Sequence, residues 1–131
     1  MKMKFEVSPD APRPAGPYSH AVRVGEFVYT AGFGPQDPAT GEVAEGVAAQ
    51  TRQVLENLRV ALRAAGADLD RVLKTTCHLR YPERDFAEFN TAYSEYFGEP
   101  YPVRTTVGSE LPGILVEIDA VSALADTCET P

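Results

Sequence analysis

The sequence predicts an α+β domain in which a single mixed β-sheet is covered on one face by two helices. Short runs alternate apolar and polar residues with β-rich chemistry, and two longer stretches repeat apolar residues at helical spacing. The segments follow the order β-β-α-β-α-β-β, with a short edge strand over Phe5-Glu-Val7 before them. Two amphipathic helices of this length cover one face of one sheet.

Pro9 to Pro17 is too rich in Pro and Gly for regular structure and reads as an ordered loop. Tyr18–Val24 is the next strand, Gly25-Glu26 a tight turn and Phe27–Ala31 the return strand, a hairpin. Gly32-Phe-Gly-Pro35 breaks it, and Asp37-Pro-Ala-Thr-Gly41 is a further turn. From Val47 to Ala65 the residues Val54, Leu58, Ala61, Leu62 and Ala65 share one helical face, and Gly66 stops the helix. Val72–Leu79 is a strong strand. Pro82 and Arg84 read as loop, Asp85 with Glu88 as a helix N-terminus, and Phe86, Phe89, Tyr93, Tyr96 and Phe97 as a helical core stripe running to Gly98. Pro102–Gly108 and Leu115–Asp119 are strands, expected as antiparallel neighbours joined by a turn at Leu111-Pro-Gly113. Residues 1–125 form the one expected domain and 126–131 a frayed tail. The sheet face away from the helices, on which Tyr18, Val22, Val28 and Ile118 would expose apolar surface, is expected to pack against other subunits.

Composition excludes several function classes. A net charge of −7 argues against nucleic acid as a main partner, since phosphate binding needs clustered Lys and Arg. No apolar run approaches a membrane span, and Met1–Glu6 holds no apolar signal region, so a soluble cytoplasmic protein is expected. Cys77 and Cys128 make no disulfide framework; Cys77 reads as a buried hydrophobe and Cys128 as a free thiol in the tail. Two His, His20 and His78, lack the spacing of a metal site. Ser19 and His20 are adjacent in a strand-like run, point to opposite faces and make no catalytic pair.

The residues bearing chemistry are Arg104 and Glu117. Arg104 is a permanent cation in an otherwise uncharged strand, and Glu117 lies opposite the apolar face of the next one. Two readings stay open on these residues alone: a structural ion pair on a sheet face, or an anion site in which Arg104 grips a carboxylate and Glu117 handles a proton or a water. On pattern alone Asn90 reads as a satisfied helix residue and Tyr18 as a packing aromatic.

Four stretches together carry a resemblance. They are Gly16-Pro-Tyr-Ser-His-Ala-Val22, then Asp37-Pro-Ala-Thr-Gly-Glu-Val43 with Gln50-Thr-Arg-Gln-Val-Leu-Glu-Asn-Leu58, then Asp85–Phe97, and finally Pro102-Val-Arg-Thr-Thr106 with Leu115–Ala120. With these runs the chain resembles the RidA/YjgF family of enamine/imine deaminases over most of its length. The resemblance implies a chorismate-mutase-like fold and a homotrimer whose sheets close an inner barrel, with sites in the clefts between subunits. It implies cofactor-free hydrolysis of 2-imino acids such as 2-iminobutanoate and 2-iminopropanoate to 2-oxo acids and ammonia. Arg104 then corresponds to the family arginine that holds the substrate carboxylate, Glu117 to the glutamate that positions water, and Tyr18 and Asn90 to cleft-lining residues. The chain departs from the family at Ala31-Gly-Phe-Gly-Pro35, where Ser-Gly-Gln-Ile-Pro is usual, and at Thr106, where cysteine is usual. Ala31, Gly32, Phe33 and Thr106 are thus expected to form altered pocket walls that suit a larger, more apolar or otherwise different substrate. Two further readings remain: a trimeric binding or regulatory protein that holds a small carboxylate without turnover, and a pathway-specific hydrolase of another enamine. Ribonuclease activity, assigned to some family members, fits the acidic composition least.

Overall fold

A computed structural model describes residues 2–125; the expected tail and Cys128 lie outside them. The strands are β1 (Met3–Glu6), β2 (Ala21–Val24), β3 (Phe27–Thr30), β4 (Val72–Leu79), β5 (Val103–Gly108) and β6 (Val116–Ala123); the helices are α1 (Val47–Ala64) and α2 (Pro82–Tyr93). One six-stranded sheet has the order β1-β2-β3-β6-β4-β5. Every pairing is antiparallel except β4 with β5. Both helices pack together on one face, over β3, β4 and β6. Among the described residues, no helix is long and apolar enough to cross a membrane.

The parallel pair corrects the expected β5–β6 hairpin. Helix α2 is the crossover of a β4-α2-β5 unit, which returns the chain parallel to β4 and leaves β5 at the sheet edge. The turn at Leu111–Gly113, with Gly113 at φ 78°, then carries the chain past β4, and β6 inserts between β3 and β4.

Strand alternation sorts the side chains. In β6, Val116, Ile118, Ala120 and Ser122 are buried under the helices while Glu117, Asp119 and Val121 face the other way. Val28 and Ile118, expected on the uncovered face, are fully buried in the core with Leu55, Leu58, Leu62, Leu79 and Phe89. The uncovered face is nonetheless apolar: Phe27, Tyr29, Val103 and Val107 are exposed there. Helix α1 ends in a Schellman turn, with Gly66 at φ 93°, its N–H on Arg63 O (3.1 Å) and Ala67 N–H on Leu62 O (2.8 Å). Helix α2 starts earlier than expected, at Pro82. Proline suits the first helical position because its missing N–H would find no partner there anyway. Asp85 is accordingly a buried first-turn residue, gripped by Arg84 at 2.8 and 3.0 Å. The aromatic stripe is only partly core: Phe89, Tyr93 and Phe97 are buried, but Phe86 is 45% exposed.

Candidate functional site

Arg104 sits on the edge strand, in register with Thr75 of β4, and so faces the helix side of the sheet. There its guanidinium lies over three rings of α2, at 4.8 Å from the Tyr93 centroid, 5.4 Å from Phe89 and 5.8 Å from Phe86. These are cation–π distances. Among the described residues Arg104 has no ion-pair partner. Its donors are therefore available to an anion, and the aromatic floor fixes their direction.

The floor is itself anchored. The Tyr93 hydroxyl and Thr75 Oγ1 are hydrogen-bonded at 2.8 Å, and the Cys77 thiol donates weakly to Thr75 at 3.7 Å. Burial raises the Tyr93 pKa, with the Thr75 bond opposing it. Burial likewise pushes the Cys77 thiol up to about 11, so at neutral pH it is protonated and inert. Above the guanidinium opens a cavity of about 530 Å³ lined by Asn90, Thr91, Tyr93, Ser94, Tyr101, Pro102 and Arg104. The Asn90 Oδ1 is sealed from solvent without a hydrogen-bond partner. Thr106 lies two residues beyond Arg104 on the same face of β5, in register with Cys77.

Glu117 belongs to different surroundings. It is on β6, directly opposite His78 of β4, on the uncovered face. Gly32 backs against its carboxylate; a Cβ there would collide with Oε2. That close approach is fixed by paired backbone bonds between Phe33 and Ile118, at 2.9 and 3.1 Å. The same pairing turns Phe33 into the core, where it is 4% exposed and 5.2 Å from the His20 ring, so its side chain is not a pocket wall. Ala31 donates its N–H to His20 O at 2.9 Å. His20 is buried and structural: its Nδ1 accepts from Ser8 N–H (2.9 Å), which leaves Nε2–H to donate to Pro12 O (2.7 Å) and ties down the loop before Tyr18. Tyr18 is 47% exposed, its hydroxyl accepting from Ala15 N–H.

The two surroundings do not meet within one chain. Thr75 pairs with Arg104 and Ala120, whereas His78 pairs with Val107 and Glu117. Arg104 and Glu117 therefore point to opposite faces, which corrects the expected neighbouring pair and removes the ion-pair reading. Tyr18 precedes β2, four strand spacings or roughly 19 Å from β5. Arg104 and Thr106 thus lie on the helix side of the sheet, with Asn90 of α2 lining the same cavity as Arg104, and Glu117, with Gly32 against its carboxylate, lies on the uncovered face. The aromatic floor escaped sequence reasoning as a site feature. Its signal is the spacing of Phe86, Phe89 and Tyr93, which by periodicity alone is the same as that of a core stripe. Among the described residues no group of three or more His, Cys, Asp or Glu is placed to hold a metal ion.

A family model described as Endoribonuclease L-PSP matches residues 8–124. A RutC family protein of Pyrococcus horikoshii is 48% identical over 116 residues, covering 86% of this chain and 91% of the relative. A protein of Salmonella typhimurium named 2-iminobutanoate/2-iminopropanoate deaminase is 40% identical over 118 residues, 86% of this chain and 91% of the relative. Among solved structures, E. coli TdcF with bound serine superposes with a TM-score of 0.86 at 34% identity, covering 93% of this chain and 99% of that one.

Proposed function

The chain belongs to the Endoribonuclease L-PSP family, that of the RidA/YjgF proteins, and from that premise we propose that it is a cofactor-free imine deaminase whose site is completed by a second copy of the chain. The observation that carries this reading is the unpaired Arg104 guanidinium on its aromatic floor, open to a cavity, with Glu117 turned to the opposite face. A carboxylate takes two parallel hydrogen bonds from Arg104. Glu117 of the partner subunit, held by its own Gly32, then meets the imine carbon through a water. Identity to a protein named as a deaminase, and the serine bound by a structural neighbour, support a small carboxylate as ligand.

The chemistry needs little assistance. A protonated 2-imino acid is already electrophilic at C2. Water adds there, the C=N electron pair moves to nitrogen, and Glu117 takes the water proton and returns one to the amine. The hydroxyl oxygen's lone pair then forms the C=O bond as the C–N bond breaks, and the departing ammonia takes the hydroxyl proton, leaving a 2-oxo acid and ammonium. Orientation and one positioned base suffice for such a step. The apolar uncovered face, with Phe27, Tyr29, Val103 and Val107, supports burial between copies, and a homotrimer is the assembly we propose. A second reading, a carboxylate binder without turnover, is favoured by one feature: the lining of the Arg104 cavity holds no carboxylate or imidazole of its own.

The test is ammonia release from 2-iminobutanoate generated in place. Wild type is expected to accelerate it, and Arg104→Ala to lose about 30- to 1000-fold, as removal of a charge-assisted bidentate contact implies. Saturable binding of 2-oxobutanoate without acceleration would select the binder instead.

A further inference from the structure

Helix α1 directs two buried amides at the segments that flank Glu117. Gln50 and Asn57 are 5% and 1% exposed, and they lie about two turns apart on one helical face. A buried amide is costly unless its hydrogen bonds are made, and both residues make theirs to fixed backbone points. Gln50 Nε2 donates to Ala44 O (2.8 Å), and its Oε1 accepts from Leu115 N–H (2.8 Å), just before Glu117 in the chain. Asn57 Nδ2 donates to both Gly34 O (3.0 Å) and Gln36 O (2.9 Å), and its Oδ1 accepts from Gln53 Nε2 (3.0 Å). The two carbonyls fix which end of the Asn57 amide faces them, because only the NH2 end donates.

The Asn57 bonds bear on Glu117 by a short path. Gly34 and Gln36 continue the segment whose Phe33 is paired with Ile118 of β6 at 2.9 and 3.1 Å. Gly32, at the start of that segment, backs against the Glu117 carboxylate. The segment is thus held by β6 on one side and by α1 on the other. All of these bonds lie within one chain, so they hold whatever a second copy adds to the site.

We propose that Asn57, with Gln50 beside it, is a positioning residue for the proposed base. Helix α1 fixes the backbone wall at Gly32 and the entry to β6, and through them the place of the Glu117 carboxylate in its own chain. The inference rests on the reading that Glu117 of one copy acts on the water while Arg104 of another holds the substrate carboxylate.

The experiment uses the assembled protein. Asn57→Asp is nearly isosteric and keeps the acceptor for Gln53, but it sets an oxygen against two carbonyl oxygens in place of two donors. A carboxylate displaced by up to about 1 Å should lower kcat for ammonia release from 2-iminobutanoate about 10- to 100-fold, while KM and the affinity for 2-oxobutanoate stay within about twofold. Asn57→Ser, shorter and uncharged, is expected to lose about 10-fold. Mixed oligomers then tell positioning from general damage. Refolded with Arg104→Ala, the Asn57→Asp chain should recover toward about a quarter of the wild-type rate, because the Arg104→Ala chains supply an undisturbed Glu117. Refolded with Glu117→Gln, it should stay as slow as its parents, since neither chain supplies one. Recovery in both mixtures or in neither, a loss confined to KM, or folded Asn57 variants at the wild-type rate would overturn the inference. So would failure of both variants to assemble, which confines Asn57 to stability. The mixture of Arg104→Ala with Glu117→Gln separates the two levels. If it recovers, a contrary result at Asn57 sinks the positioning role alone. If it stays inactive, or if Glu117→Gln turns over at the wild-type rate, the shared-site reading falls and the inference with it.

Discussion

Gly32→Ala perturbs the proposed chemistry without altering either reacting group. Gly32 does not have a positive φ, so its backbone accepts alanine. The added Cβ would collide with Glu117 Oε2 and stand 3.0 Å from Cδ and 3.2 Å from Cγ. Carbon pairs settle near 3.5–4.0 Å, so the carboxylate must retreat by roughly 0.5–1 Å. The far end of a flexible side chain gives way easily, and stability should fall by no more than about 1 kcal/mol. Catalysis is less forgiving: a misplacement of about 1 Å costs up to about 100-fold. With the Arg104 clamp untouched, the loss should appear in kcat, about 10- to 100-fold, while KM changes little. Steady-state ammonia release gives both constants, and thermal melting checks the fold. A folded Gly32→Ala protein that turns over at the wild-type rate would refute the claim that the carboxylate position governs the reaction.

Other consequences follow from the anchoring of the aromatic floor. Tyr93→Phe keeps the ring under Arg104 but leaves buried Thr75 without its 2.8 Å partner; urea denaturation should show a loss of about 1–2 kcal/mol. In a Cys128→Ser background, a thiol reagent should leave Cys77 unmodified until the protein unfolds, because the side chain is buried and its pKa stands at about 11. The same elevation links to stability. Cys77 titrates from a reference of 9.0 when unfolded, so its contribution is fully present below about pH 9 and lost as pH rises through about 11. That is about 3 kcal/mol, and Cys77→Ala should flatten this part of the stability profile relative to wild type.

Much of the architecture was legible in local pattern. Val72–Leu79 and the helix ended by Gly66 were readable because one dominant period and one stop signal marked each. The sheet order was not, since β5 and β6 are consecutive in the chain and separated by β4 in space. Strand chemistry alone does not say whether a crossover unit will claim the edge position. That single topological fact decides the site. Moving β5 to the far side of β4, in parallel register, turned Arg104 toward α2 while Glu117 stayed on the uncovered face. Phe33 shows the same limit on a smaller scale. Its place in the chain suggested a wall, and the backbone bridge to Ile118 put it in the core.

The division of Arg104 and Glu117 between opposite faces is the central claim, and mixing two inactive variants tests it most directly. Arg104→Ala and Glu117→Gln are each expected to lose deaminase activity. Unfolded together in equal amounts and refolded, they form mixed oligomers in which roughly a quarter of the sites pair an intact Arg104 from one chain with an intact Glu117 from the other. Recovery of ammonia release toward that fraction is the predicted result. Mixed oligomers that stay as inactive as their parents would contradict a site shared between copies.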